Sequence, residues 1–159
     1  MANALTPTVF LVDDEEMVLT SIRAFLSLET DYRVATFADP EQAVDRLRTE
    51  RADVIISDYL MPKMNGIQFL ARAKELQPET PRVLLTGHAD KQSAIQAINE
   101  VALFQYLEKP WDNAQLLLVI QAAIERANLY RDLRDKINEL AMANSNLREI
   151  QTRLLKAFF

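Results

Sequence analysis

The chain has 159 residues, 49% of them hydrophobic, which suits one folded domain with a small appendage and excludes a disordered protein. Its net charge of -5 argues against direct nucleic-acid binding, because phosphate affinity requires clustered Lys and Arg. The absence of cysteine excludes disulfides and thiolate sites, and there is neither a signal peptide nor an apolar run near the ~20 residues that span a bilayer, so we expect a cytoplasmic protein with no membrane contact.

Strands and helices are predicted to alternate along the chain. Short β-branched and aromatic runs predict strands, and apolar residues three and four positions apart predict helices. The predicted strands are Thr8 to Val12, Tyr32 to Phe37, Val54 to Ser57, Arg82 to Thr86 and Leu103 to Leu107. The predicted helices are Glu15 to Leu28, a second from Asp39-Pro40, then Ile67 to Leu76, Asp90 to Glu100, and a long one opening at Asp112. Five βα units predict an α/β fold with a flavodoxin-like, doubly wound parallel sheet in the order 2-1-3-4-5.

Polar residues follow four of these strands. The carboxyl ends of strands one, three, four and five carry Asp13-Asp14, Asp58, Thr86-Gly87 and Lys109. Neighbouring carboxylates repel by roughly 4 kcal/mol per pair at an effective dielectric near 20, and a divalent cation would offset that repulsion. Oxygen ligands without His or Cys favour Mg²⁺, which usually completes its shell with phosphate oxygens. The sequence therefore predicts magnesium-dependent phosphoryl chemistry at this edge of the sheet.

These residues, together with Met61-Pro62, Gly66, and Tyr106 to Pro110, resemble the receiver domain of two-component response regulators over about residues 7 to 125. The resemblance implies that Asp58 is the phosphoacceptor for a sensor histidine kinase. It also implies that Asp14, Asp58 and the Leu60 carbonyl bind Mg²⁺, with Asp13 acting through water. The implied phosphoryl-binding residues are Thr86, Gly87 and Lys109, and the implied switch residues are Thr86 and Tyr106. No further catalytic activity is expected beyond self-phosphorylation and slow self-dephosphorylation.

Each of these residues also has a structural reading when taken alone. Asp13 and Asp14 suit the acidic first turn of a helix, Asp58 suits a turn before Met-Pro, and Tyr106 suits core packing. Trp111 is predicted to anchor the start of the long helix by packing. Two other protein classes stay open: a phosphatase of the aspartyl-phosphate type, which would need an acid where Leu60 stands, and a dimerisation adaptor, which would not need the acidic cluster.

The carboxyl-terminal third carries a second pattern. From Asp112 to Phe159 there is no Gly or Pro, which predicts one helical rod of about 70 Å. Leucines recur every seven residues, and Ile137 and Asn144 stand at the alternate positions of the heptad. This spacing predicts a parallel coiled coil with leucine at its d positions. The predicted dimerisation residues are Leu133, Ile137, Leu140, Asn144, Leu147 and Leu154.

The sequence is thus divided into a receiver at residues 1–125 and a coiled-coil extension at 126–159 that continues the fifth helix. We expect a homodimer through this helix, with an output module lying outside the sequence. The alternatives for the extension are a helix that folds back on the receiver and an amphipathic helix on a membrane surface.

Overall fold

The computed structural model describes residues 6–143 and 148–159. Five parallel strands form one sheet in the order β2-β1-β3-β4-β5, which confirms the predicted flavodoxin-like order. The strands are β1 (Thr8–Val12), β2 (Arg33–Phe37), β3 (Val54–Asp58), β4 (Arg82–Thr86) and β5 (Gln105–Glu108). The helices are α1 (Glu16–Glu29), α2 (Pro40–Leu47), α3 (Gly66–Leu76), α4 (Lys91–Glu100), α5 (Asn113–Ala143) and α6 (Arg148–Phe158). A short 3-10 turn, His88–Asp90, precedes α4.

Two apolar layers cover the faces of the sheet. Alternate β1 residues enter opposite layers, Phe10 and Val12 into one and Val9 and Leu11 into the other. Helices α2, α3 and α4 cover the first face, and α1 and α5 cover the second. Because both faces are covered, β1, β3 and β4 are buried along their whole length. No helix among the described residues is both long and apolar enough to cross a bilayer.

The helix starts follow the predicted capping chemistry. The Asp39 carboxylate accepts from the Glu41 N–H at 3.0 Å, and the Asp112 carboxylate accepts from the Ala114 N–H at 2.9 Å. These carboxylates satisfy amide groups that have no partner within the helix. The α2 and α5 starts are therefore fixed locally, and α5 begins four residues after Lys109.

The connection between α4 and β5 differs from the prediction, because β5 begins at Gln105 rather than Leu103. The buried Arg82 guanidinium donates to the Val101 carbonyl at 2.9 Å and to the Ala102 carbonyl at 3.3 Å. Ala102 adopts a positive φ of 49°, which interrupts extended backbone before the strand. Burial, with a smaller contribution from the nearby Arg126 charge, lowers the pKa of Arg82 to about 10.

The prediction of one continuous rod is wrong in this structure. Helix α5 ends at Ala143, and α6 returns alongside it, with the Phe159 ring 5.6 Å from the Tyr130 ring. In a single helix these residues would be about 43 Å apart. Folding back buries Ile137 and Ala141 within the chain, and this apolar burial compensates for ending the helix. Two predicted seam residues, Asn144 and Leu147, lie outside the described residues.

Ion pairs fasten α5 to the edge of the sheet opposite the carboxyl ends of the strands. Arg131 contacts Asp53 at 3.2 Å, and the other Asp53 oxygen accepts from the Thr8 N–H at 2.7 Å. Arg134 forms a second ion pair with Glu79. Asp53 therefore joins the beginning of β1, the beginning of β3 and the middle of α5.

Candidate functional site

Three carboxylates meet where β1 and β3 end. These two strands are paired neighbours, with Val12 opposite Ser57, so the residues that follow emerge side by side. Carboxylate oxygens of Asp13, Asp14 and Asp58 lie within 4.8 Å of one another. Asp13 and Asp58 are buried, whereas Asp14 is exposed. The cluster is therefore open to solvent on the Asp14 side and closed toward the sheet.

Only one of the two carboxylate oxygens of Asp13 accepts a hydrogen bond among the described residues. Its Oδ1 accepts from the Glu15 N–H at 2.9 Å, while its buried Oδ2 has no hydrogen-bond partner within the described part of the chain. Burial raises the pKa of Asp13 to about 6, although the Glu15 N–H opposes this rise; the negative charge of Asp58 adds to it. A buried carboxylate oxygen without a donor indicates a cation or an ordered water at that position.

Asp58 is paired with the lysine that follows β5. Lys109 Nζ lies 2.9 Å from Asp58 Oδ1. Burial raises the pKa of Asp58, although the hydrogen bond and positive charge of Lys109 oppose that rise. Burial alone would lower the pKa of Lys109, but the Asp58 hydrogen bond and charge outweigh burial and raise it. Lys109 also stands 6.0 Å from the centre of the Trp111 ring. The ammonium therefore favours the ionised form of the Asp58 carboxylate that it contacts.

Thr86 and Tyr106 occupy neighbouring strands but differ in their surroundings. Thr86 ends β4, is fully buried, and has a hydroxyl without a hydrogen-bond partner among the described residues. Its carbonyl accepts from the Lys109 N–H at 2.7 Å. Tyr106 lies opposite Leu84 in β5 and packs, half-buried, against the layer that includes α4. Gly87 follows Thr86 and is partly buried.

The loop after Asp58 passes close to the strand end because α3 begins with glycine. The Gly66 N–H donates to the Tyr59 carbonyl at 2.8 Å. A Cβ on Gly66 would lie 2.2 Å from the Asp58 carbonyl oxygen, well inside van der Waals contact. Asn65 and Gln68 form a reciprocal capping box at this helix start. The Leu60 side chain, between Asp58 and Gly66, is 62% exposed.

The donor set fits a hard divalent cation. It offers carboxylate oxygens from three residues, no nitrogen or sulfur ligand, and one buried oxygen without a donor. Mg²⁺ prefers such ligands and retains several waters, which suits the exposed Asp14 side of the cluster. The Leu60 carbonyl stays a predicted ligand, since no contact of that oxygen is seen.

The structure thus brings together Asp13, Asp14, Asp58 and Lys109, and places Thr86 beside the Lys109 backbone. The predicted seam residues Leu133, Ile137, Leu140 and Leu154 lie in the α5–α6 region, apart from this cluster. Sequence reasoning missed the contact of Trp111 with Lys109 and the spatial reason for Gly66. The only sequence signal for the latter was the rarity of glycine, which occurs just twice in the chain.

Comparison of the sequence with known proteins finds a matching family and several relatives. The family model described as "Response regulator receiver domain" matches residues 9–121. A hydrogenase transcriptional regulatory protein, HoxA of Cupriavidus necator, is 30% identical over 93% of this chain. The matched region is 30% of the length of that relative, so the chain spans less than a third of it.

Solved structures agree with the sequence relatives. The signal receiver domain of an HD domain-containing protein from Pseudomonas fluorescens Pf-5 is 36% identical, with a TM-score of 0.73 over 78% of this chain and 98% of that one. Full-length FixJ from B. japonicum is 27% identical, with a TM-score of 0.74 over 87% of this chain and 68% of that one. On the family match and the strand order, this chain belongs to the response regulator receiver family.

Proposed function

We propose that Asp58 is the residue that accepts the phosphoryl group. Receiver domains are phosphoacceptors in signal transduction, phosphorylated by histidine kinases, and they bind Mg²⁺ at an acidic pocket. The observation that carries the assignment is the Asp58 carboxylate, which lies within the three-carboxylate cluster and contacts Lys109 at 2.9 Å. Asp58 is thus the carboxylate that both the acidic cluster and the lysine share.

In the proposed transfer, a carboxylate oxygen of Asp58 attacks the phosphorus of a phosphohistidine. The new P–O bond forms as the P–N bond breaks, and the imidazole nitrogen leaves with the electron pair. Lys109 favours the ionised form of Asp58 and offers a positive charge to the phosphoryl oxygens, since positioning and charge neutralisation supply most of the catalysis. The free Thr86 hydroxyl offers a hydrogen-bond donor to the same group.

Asp13, Asp14 and Asp58 would hold Mg²⁺, with Asp13 acting through water. When bound, the cation neutralises charge on the transferring phosphoryl oxygens. The orphan Asp13 Oδ2 supports this assignment, because it supplies an unused acceptor inside the cluster. Leu60 stands where a phosphatase of the aspartyl-phosphate type would place its acid, so we propose no turnover of an external substrate beyond slow self-hydrolysis.

We further propose that phosphorylation draws the Thr86 hydroxyl toward Asp58 and alters the packing of Tyr106. The surface formed by α4, β5 and α5 would then change, which is a local charge event that biases a two-state element. The output would lie in a module beyond the receiver, because the HoxA relative is a transcriptional regulatory protein more than three times as long as the matched region. Homodimerisation through the carboxyl-terminal helices would deliver the signal.

Intact mass spectrometry tests the Asp58 assignment. After incubation with acetyl phosphate and Mg²⁺, the chain should gain one phosphoryl group, and Asp58→Asn should gain none. Asp45→Asn is the matched control, because Asp45 is an exposed aspartate in α2, and it should be modified like the wild type. EDTA should suppress the reaction. Phosphorylation of Asp58→Asn at the wild-type level would refute the assignment.

A further inference from the structure

The α5–α6 hairpin has a well-defined contact line. Tyr130 and Arg134 of α5 both contact the Phe159 ring, and Asn138 accepts a hydrogen bond from Gln151. The contacts run in opposite directions along the two helices, so α6 is antiparallel to α5. Along the same line Ala141 is buried, and Leu155 is partly buried.

On each helix, a row of exposed apolar residues runs beside the contact line. Each residue of the rows comes one position before a residue of the contact line, which on an α-helix is a rotation of about 100°. On both helices the row is reached from the contact line by a step of one residue toward the amino terminus. Because the two helices run in opposite directions, these two steps turn toward the same side of the hairpin. Both rows therefore form one apolar face, whose members with their exposed fractions are Leu129 60%, Leu133 37%, Leu140 59%, Ile150 47%, Leu154 37% and Phe158 48%.

Within the described residues nothing covers this face, which joins large side chains from both helices. Three of its members, Leu133, Leu140 and Leu154, belong to the heptad leucine series, a pattern typical of association between identical helices. Ile137 is only 7% exposed and is already buried within the chain, so it is not available to a partner while the hairpin is closed.

Charges at the outer edges indicate which partner fits. Asp132 and Arg153 each come two positions after a contact-line residue, which places them at the outer edges of α5 and α6. Both side chains are exposed. Lys136 and Glu139, also exposed on α5, pair with each other at 3.5 Å and leave the Asp132 edge acidic. Glu149, also exposed, comes two positions before Gln151 and shares the α6 edge with Arg153, so that edge carries both charges. A two-fold axis parallel to the helices brings the α5 edge of each copy against the α6 edge of the other, which places Arg153 beside the net acidic α5 edge.

We propose that a second copy of this chain packs its hairpin on this apolar face, so that α5 of one copy lies across α6 of the other in a four-helix interface. This inference rests on the proposed homodimer and specifies its interface: α6 is part of it, the hairpin stays closed, and the two receivers lie at the same end. An extended two-helix coiled coil would instead require α6 to leave α5.

Sedimentation equilibrium of paired variants tests the interface. Leu129 and Ile150 lie on the apolar face but would take peripheral g positions in a two-helix coiled coil. The Leu129→Gln/Ile150→Gln variant should raise the dimer dissociation constant by roughly a hundredfold, because two apolar contacts are lost on each copy. Met142→Gln is the matched control, since Met142 is 88% exposed on α5 but comes one position after the contact line, on the opposite side. It should leave the dissociation constant unchanged.

A spin-label distance separates the two dimer geometries. The chain has no cysteine, so labels on Asp135→Cys and Lys156→Cys report one distance, measured with excess unlabelled chain to keep it intramolecular. The closed hairpin predicts a distance below about 20 Å, and a continuous helix predicts about 32 Å.

A dimer insensitive to Leu129→Gln/Ile150→Gln, or a long intramolecular distance, would overturn the four-helix interface and leave the coiled-coil dimer standing. A wild-type chain that stays monomeric at all accessible concentrations would overturn both forms of dimer. The phosphorylation assay is independent of these results, so the Asp58 assignment stands or falls separately.

Discussion

Asp13 bears an electrostatic cost within the carboxylate cluster. It is fully buried, one of its oxygens has no donor, and its pKa is raised from 3.8 to about 6. Because the folded-state pKa exceeds the unfolded value, protonation favours the folded state. The ionised group therefore destabilises the metal-free protein above about pH 6, and this cost is relieved as the pH falls from about 6 to about 4.

Asp13→Asn should accordingly stabilise the metal-free protein at pH 8 by up to about 3 kcal/mol, the equivalent of a shift of about two pKa units. The difference from the wild type should shrink as the pH falls through 6 and vanish near pH 4. Urea unfolding in EDTA at several pH values measures it, with Asp45→Asn as an exposed control expected to change stability by less than about 0.5 kcal/mol. A constant difference across this pH range would contradict the assigned cause.

Gly66 determines how closely the loop after Asp58 approaches the strand end. Gly66→Ala should lower the free energy of unfolding by about 1–3 kcal/mol or more, because its Cβ would meet the Asp58 carbonyl oxygen at 2.2 Å. It should also slow phosphorylation, since the backbone that must shift carries Asp58. Gly87→Ala is the control, because the nearest atom to its Cβ would be an Asp90 carboxylate oxygen at 3.4 Å. Equal stability of the two variants in urea unfolding would show that the contact relaxes freely.

Among the elements, the connector between α4 and β5 shows how one buried side chain imposes a backbone shape. The Arg82 guanidinium bonds the carbonyls of both Val101 and Ala102, and Ala102 takes the left-handed conformation that results. This conformation costs an L-residue about 1–2 kcal/mol. Glycine would avoid the cost, although its greater freedom in the unfolded chain would offset part of the gain.

Ala102→Gly should therefore raise the free energy of unfolding, by up to about 1 kcal/mol. Val101→Gly should lower it by about 2 kcal/mol or more, because Val101 is 1% exposed and its side chain fills the α4 layer. Thermal unfolding of the two neighbouring variants gives shifts of opposite sign. A destabilised Ala102→Gly would mean that strain at this position is negligible.

At the scale of the whole molecule, the features predicted from sequence are those that follow from strand order. Because β1, β3, β4 and β5 are parallel and lie in this order in the sheet, Asp13, Asp58 and Lys109 must emerge at one edge, so their meeting could be expected. The return of α6 was not predicted, because the prediction relied on the absence of Gly and Pro after Asp112 and passed over Asn144-Ser145-Asn146, residue types that favour turns and helix caps. The return of α6 depends on long-range contacts such as Phe159 with Tyr130, which periodicity does not encode.

The roles of Gly66 and Ala102 likewise could not be predicted from local sequence. Their roles depend on a carbonyl eight residues away and on a guanidinium twenty residues away, respectively. A heptad pattern likewise shows which leucines share a side of a helix, but not whether that side first meets the same chain or another copy. Local spacing therefore predicted the elements and the residues that meet at the strand ends, whereas close approach of backbone segments required the three-dimensional structure.

The ion pair between Arg131 and Asp53 holds one point of α5 against the start of β3. Asn113, at the start of the helix near Lys109, lies about 27 Å from Arg131, and Ala143 lies about 18 Å beyond it. Sliding the helix along its axis would break the Arg131–Asp53 contact, whereas tilting about it would not. A sideways displacement of 1 Å near Lys109 therefore becomes roughly 0.7 Å in the opposite direction at the far end, by the ratio of these lengths. If α5 tilted in this way, the length of helix beyond Arg131 would set how far its end moves.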